Sequence, residues 1–256
     1  MTKFEEMINT IQLGDCYELI KKIPDKSIDL IYTDPPYKID GLHTGTGILK
    51  DRSKNLNHYV NQMRNLQIDK GINYDILDEF VRIMKNIHIY IWCNKEQIID
   101  YLDYFVKKHK CNYEFIIWHK QNVAPFTNGH YLKDKEYCLL FWKNSIIKGK
   151  YEDMSTVYHT TINTKDKELY KHPTIKPIEF VKKHILNSTN ENDIVLDCFC
   201  GSGTTCVAAK ETGRRYIGME IDPEYHKIAV DRLNGILANG QTTIFTDFEL
   251  LKKEGE

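Results

Sequence analysis

The sequence predicts an α/β protein, a mostly parallel, doubly wound sheet with helices on both faces. Three observations lead there. Its short apolar runs are continuous rather than alternating, as strands covered on both faces require. Segments with helical apolar spacing separate those runs. Two of the runs end in an acidic residue followed by proline- or glycine-rich turns, and open parallel sheets bind ligands at such carboxyl ends.

The predicted strands are Ile28–Tyr32, Ile87–Cys93, Phe115–Trp118, Tyr137–Trp142, Ile194–Leu196 and Tyr216–Met219. Each is rich in Ile, Val, Leu and aromatic residues, which suit a buried pleated surface. Between them, Asp75–Asn86 carries apolar residues at 76, 77, 80, 81 and 84, a helical stripe. Lys95–Lys110, Pro177–Leu186, Thr204–Thr212 and Glu224–Leu237 also read as helices. Asp222-Pro223 starts the last one, with Asp as N-cap and Pro in the first turn. Two polar stretches break the alternation: residues 38–71, with Gly41, Gly45 and Gly47, and residues 144–171, rich in Thr, Lys, Tyr and Asn. The expected organisation is one domain over residues 1–256, with a flexible loop at 38–71 and a target-recognition segment at 144–171.

The chain has 256 residues, 41% of them hydrophobic, enough for one sizeable core. Charged residues make up 28% and the net charge is −1, which excludes a globally disordered chain. No run of about 18 apolar residues occurs, so no membrane span is expected. MTKFEEMINT has no apolar signal-peptide core, and a cytoplasmic location is expected. In that compartment the seven cysteines do not form a disulfide framework. Cys198, Cys200 and Cys206 cluster, but their spacing fits no common zinc motif, and no metal is expected. Charge is uneven. Residues 105–150 hold nine basic and three acidic side chains, while residues 191–256 hold seven and twelve. A basic middle in a near-neutral chain suits a polyanionic partner.

Residues 193–205 read DIVLDCFCGSGTT. A strand ends at Asp197, glycines at 201 and 203 allow a tight turn and close approach of a ligand, and Thr204 opens a helix. That helix start offers unpaired N–H groups to a carboxylate or phosphate. The next strand ends at Glu220, where a carboxylate can accept from ribose hydroxyls. The pattern is neither GxGxxG nor a P-loop, so it points to a nucleoside-containing ligand other than a dinucleotide. The bland alternative is an ordinary strand–turn–helix with glycine at the bend.

Residues 29–37 read DLIYTDPPY. Asp34 is an ionised acceptor. Pro35 and Pro36 stiffen the turn and lack N–H donors, which leaves backbone carbonyls to face an amino group. Tyr37 offers an aromatic face. An acceptor, carbonyls and a stacking ring together suit an exocyclic amine on a base.

These motifs resemble those of the DNA amino-methyltransferases that use S-adenosylmethionine. The resemblance rests on DPPY, on DxFxGSGTT with its downstream Glu220, on LGDCYELIKKIPDKSIDLIYTDPPY at 13–37, on FIIWHKQNVAP and EYCLLFWK within 115–143, and on KHPTIKP at 171–177. Family members commonly carry Pro where this chain has Cys198. DPPY precedes the cofactor loop, a circularly permuted order similar to the group called β. The resemblance implies a methyltransferase fold and S-adenosylmethionine as cofactor. It implies catalytic roles for Asp34, Pro35, Pro36 and Tyr37. It implies cofactor contacts from Asp15, Asp34, Lys176, Asp197, Phe199, Gly201, Ser202, Gly203, Thr204, Thr205 and Glu220. His172 and Thr174 lie in the same KHPTIKP segment. Asp at the first tetrapeptide position resembles adenine-N6 rather than cytosine-N4 enzymes.

The implied substrate is double-stranded DNA with its target base flipped out. Residues expected to meet DNA are Arg52, Lys54, Asn55, His58 and Arg64 in the first polar stretch. In the second they are Lys148, Lys150, Tyr158, His159, Asn163, Lys165 and Lys167. A homodimer and a cognate restriction nuclease are the other expected partners. Cytosine-N4 methylation, or a nucleic-acid-binding regulator with an inactive site, are the competing readings.

Overall fold

A computed structural model describes residues 2–38, 71–123, 131–162, 169–170, 175–240 and 242. Eight strands among them form one sheet: β1 (Thr10–Leu13), β2 (Leu30–Thr33), β3 (Ile87–Cys93), β4 (Asn112–Lys120), β5 (Lys135–Lys143), β6 (Val157–Thr160), β7 (Ile194–Asp197) and β8 (Arg215–Glu220). Their spatial order is β1-β8-β7-β2-β3-β5-β4-β6. Every neighbouring pair is parallel except those made by β5, which runs against β3 and β4. The strand beginnings of β5 therefore share an edge with the strand ends of all the others.

Helices cover both faces. On one lie α1 (Lys3–Met7), α2 (Cys16–Leu19), α3 (Ile76–Ile83) and α4 (Ile98–Leu102), the last continued by a wider π-helical turn over Asp103–Lys108. They pack Ile76, Leu77, Phe80, Tyr101 and Phe105 onto Ile31, Ile89, Ile91, Leu139 and Phe141 of the sheet. On the other lie α5 (Ile178–Ser188), α6 (Thr204–Glu211) and α7 (Pro223–Leu233). They cover Tyr32, Tyr90, Trp92, Cys138 and Val195. Ile89, Ile91 and Leu139 are fully buried, and each such side chain contributes roughly 1.5–3 kcal/mol.

The predicted strands and helices are present, with shifts that have local causes. The first predicted strand starts two residues late, because Ile28 makes only an isolated bridge with Met84. The same bridge ends α3 at Ile83, short of Asn86. Two strands were not predicted. β1 is four residues, TIQL, paired among the described residues only with β8. β6 lies inside the polar stretch expected to be recognition loop, where Trp118 and His119 of β4 pair with Tyr158 and His159.

The topology has one reversal. From β2 the chain passes through α3 to β3 on one side. From β7 it passes through α6, on the opposite face, to β8 on the other side. The connections leaving β2 and β7 therefore diverge, and a crevice opens between their carboxyl ends. DPPY leaves β2 there and the glycine loop leaves β7. No helix among the described residues is long and apolar enough to cross a membrane.

Candidate active site

The crevice is bridged from below by Asp197. Its Oδ1 accepts from Thr33 Oγ1 at 2.8 Å and from the Phe199 N–H at 3.1 Å, and its Oδ2 accepts from Thr205 Oγ1 at 2.6 Å. One buried carboxylate thus ties the end of β2 to the end of β7 and to the first turn of α6. Burial pushes its carboxyl up to about 6, and the Thr205, Thr33 and Phe199 donors only partly offset that. Asp197 and Thr205 face the interior and shape the loop.

The loop wraps around a second carboxylate. Glu220 Oε2 accepts from the Gly201 N–H at 2.8 Å and Oε1 from the Asp222 N–H at 2.9 Å. Burial raises its carboxyl above the usual range. Leu13, opposite Glu220 in the β1–β8 register, and Ile221 are each 51% exposed, an open apolar surface on either side of an acid. Gly203 has φ 75°, and a methyl there would come within 3.0 Å of the Ala229 Cβ, so α7 packs directly on the turn. Asp15, exposed after β1, caps α2 by accepting from the Tyr17 N–H at 2.9 Å.

Arg232 of α7 is a residue the sequence reading missed. It is buried, donates to Thr204 Oγ1 at 2.8 Å and to Ser202 O at 3.3 Å, and lies 4.8 Å over the Tyr170 ring. An arginine on the helix face shared with Ala229 and Leu233 was the available signal.

Across the crevice, the DPPY turn is held by side chains. Asp34 Oδ1 accepts from Tyr37 Oη at 2.9 Å and its Oδ2 from Lys176 Nζ at 2.5 Å. Gln97, fully buried, donates from Nε2 to the Pro36 carbonyl at 3.2 Å. Asn94 donates to the Lys38 carbonyl at 2.6 Å. Pro35 is buried, and Tyr37 is half-buried with its hydroxyl pKa raised by burial and by Asp34.

Lys176 joins this site from the segment before α5, 142 residues from Asp34. It also meets Glu136 Oε2 at 2.9 Å, a charge contact without hydrogen-bond alignment, and lies 4.9 Å from the Trp92 ring. Glu136 in turn contacts Lys120. Burial opposes charging Lys176, but Asp34 and Glu136 outweigh it and raise its ammonium. Burial likewise opposes charging Glu136, yet Lys176 and Lys120 hold its carboxyl down to about 2. The result is a row of alternating acidic and basic side chains, Asp34–Lys176–Glu136–Lys120.

A neutral network fixes the strands behind it. Trp92 Nε1 donates to Tyr32 Oη at 3.3 Å, Tyr32 Oη lies 3.1 Å from His184 Nδ1, and His184 Nε2 lies 3.0 Å from Tyr158 Oη. Burial pulls the His184 imidazole down to about 3, so it is neutral, and it stacks on Tyr90 at 4.8 Å. The network anchors β6 to β2.

Of the expected DNA contacts, His159 reaches the active edge, where its Nδ1 lies 3.0 Å from His119 Nδ1. Tyr158 is spent on His184. Lys148 contacts Asn190 and its backbone N–H donates to the Asn187 carbonyl, at the end of α5 that leads into the start of β7, on the opposite edge of the sheet from the crevice. The structure does not bring Lys148 to the crevice. Lys150 lies in the same turn, next to the short helix Tyr151–Asp153. Arg52, Lys54, Asn55, His58, Arg64, Asn163, Lys165, Lys167, His172 and Thr174 lie outside the described residues. No cluster of three or more metal-ligating side chains occurs among the described residues.

This arrangement, the DPPY turn facing the glycine-rich loop of β7 across a switch point, can be compared with known proteins. A family model described as DNA methylase matches residues 28–231. The chain belongs to that DNA methylase family. It is 30% identical to the Type II methyltransferase M.HinfI of Haemophilus influenzae, over 97% of this chain and 73% of that one. It is 27% identical to the DNA adenine methyltransferase YhdJ of Escherichia coli (strain K12), over 91% and 85%. The crystal structure of the M1.HpyAVI–SAM complex is similar, with TM-score 0.59 and 27% identity over 88% of this chain and 98% of that one. The cytosine-N4-specific PvuII DNA methyltransferase, TM-score 0.62 over 96% and 93% at 18% identity, shares the fold.

Proposed function

We propose that this DNA methylase transfers a methyl group from S-adenosylmethionine to the N6 amine of an adenine flipped out of double-stranded DNA. The observation that carries the reading is the meeting of two loops at one crevice. The acceptor turn Asp34–Tyr37 and the glycine loop of β7 are locked together by the Thr33–Asp197 bond.

The residues fit the cofactor. Glu220 suits ribose hydroxyls, Leu13 and Ile221 suit a flat base, and the eight-residue helix α6 directs its first N–H groups toward the loop. When bound, S-adenosylmethionine supplies a methyl on a positively charged sulfur. Asp34 accepts a hydrogen bond from the amine and helps draw its lone pair out of ring conjugation. The Pro35 and Pro36 carbonyls offer further acceptors, and the Pro36 carbonyl is steadied by Gln97. The Tyr37 ring stacks on the base, its position set by the hydroxyl bond to Asp34. These groups would hold the amine for attack on that methyl, and the proton the amine gives up would pass to solvent. Such alignment can lower a barrier by roughly 7–11 kcal/mol. Flipping the base costs a few kcal/mol.

Adenine is favoured by the acidic first residue of the tetrapeptide and by the adenine specificity in the name of one relative. The Type II names of others support pairing with a cognate nuclease. A homodimer that shares recognition belongs to the same proposal. Incubation with labelled S-adenosylmethionine and mixed-sequence DNA, followed by digestion to nucleosides, tests the reading. Label in N6-methyladenine is expected, and Asp34→Ala should abolish it while cofactor binding persists. Label in N4-methylcytosine, or none in DNA, overturns it.

A further inference from the structure

Glu136 has no place in the reaction as described, yet it is half-buried, its carboxyl is held down to about 2 by Lys176 and Lys120, and it meets the lysine that contacts Asp34. It comes from the start of β5, and only because β5 runs antiparallel does that start lie beside the ends of β3 and β4. Its carboxylate stands between two lysines, Lys120 of β4 and Lys176. Lys176 in turn stands between two carboxylates, at 2.5 Å from Asp34 and 2.9 Å from Glu136. Lys176 is buried and the other three side chains are half-buried, which is costly for charged groups unless they pair. A fold that retains this row therefore uses it.

The use follows from what Asp34 must do. Both of its oxygens are engaged, one by Tyr37 and one by Lys176. A lysine with Asp34 as its only anion would stay on it and compete with the incoming amine. A second carboxylate on the far side divides the pull on the ammonium. The Trp92 face beneath the ammonium, at 4.9 Å, limits where else it can move. We infer that Glu136, steadied by Lys120, is a positioning residue that offers Lys176 a second anion, so that the ammonium can leave Asp34 Oδ2 when the target amine arrives. The inference rests on the methyltransferase reading of the same crevice.

The test measures labelled methyl transfer to mixed-sequence DNA for the wild type, Glu136→Gln, Glu136→Asp, Lys176→Met and the double variant Glu136→Gln/Lys176→Met. Cofactor affinity, measured by calorimetry, reports on folding of each. Expected results are a kcat at least about tenfold lower for Glu136→Gln, KM values for cofactor and DNA within about twofold, and partial recovery in Glu136→Asp. Because Glu136 acts through Lys176, the double variant should be no slower than Lys176→Met. A kcat for Glu136→Gln within twofold of wild type overturns the inference, and so do losses that multiply in the double variant. If Glu136→Gln does not fold, Lys120→Met replaces it, with a smaller loss in kcat expected and unchanged kcat overturning. Absence of transfer by the wild type is a different failure. It removes the methyltransferase reading itself.

Discussion

Asp197→Asn is the variant that separates the architectural role of the carboxylate under the crevice from its charge. Asp197 is 4% exposed, and burial pushes its carboxyl up to about 6. In the unfolded chain an aspartate titrates near ~3.9. A raised carboxyl pKa means that the fold binds the proton more tightly than the unfolded chain does. The stability that Asp197 contributes is therefore fully present below about pH 4 and is lost as pH rises through about 6. A shift of about two units corresponds to about 3 kcal/mol. The carboxamide is neutral throughout. Its oxygen can keep the Thr33 and Phe199 donors, and its NH2 then faces Thr205 Oγ1. That hydroxyl can turn its hydrogen to the Tyr32 carbonyl, 3.5 Å away. Asp197→Asn should match the wild type near pH 4 and exceed it by up to about 3 kcal/mol at pH 8, where about 2–4 °C of melting temperature accompanies each kcal/mol. Melting curves from pH 4 to 8.5 without cofactor measure this. Asp197→Ala, which strands three donors, should be less stable at every pH. An Asn variant more than about 1 kcal/mol less stable than wild type at pH 8 would refute the reasoning.

A methyl at Gly218 would meet Cys206 Sγ at 2.8 Å, Ile11 Cγ1 at 2.9 Å and Cys200 Sγ at 3.2 Å, so Gly218→Ala should cost about 1–3 kcal/mol in urea unfolding. Adding Cys206→Ala should return part of that loss; a double variant worse than the sum of the singles contradicts the packing argument. Tyr158→Phe removes the partner of His184 Nε2 and should cost about 1–3 kcal/mol, read from the denaturation midpoint; an unchanged midpoint shows that the hydroxyl is not what anchors β6. Ile221→Asp places a charge on the exposed apolar surface beside Glu220, and cofactor affinity should fall by about tenfold or more, about 1.4 kcal/mol, with little change in melting temperature. Unchanged affinity would move the base of the cofactor elsewhere.

Much of the site was legible locally. DPPY and the glycine loop each announce themselves within a dozen residues, because proline, glycine and an acid at a strand end are decisions of the backbone over short range. The continuous apolar runs of β2, β3 and β7 likewise need no knowledge of their neighbours. β6 was missed because VYHT is polar and four residues long. Only its pairing with β4, and the hold of Tyr158 on His184, makes it a strand. β1 was missed for the same reason, since TIQL gains its place by pairing with β8.

The sequence alone therefore determined the layered α/β class, the acceptor turn, the loop of β7 and the acid at Glu220. The tertiary structure decided which of these side chains are available and which are spent. Asp197 and Thr205 turn inward because the end of β2 needs their hydrogen bonds. Lys176 faces Asp34 and Glu136, from positions 142 and 40 residues away in sequence, because β5 runs backwards through the sheet. Burial and charge pairing act through space, and no local pattern in the chain encodes the register that brings such groups within 3 Å of each other.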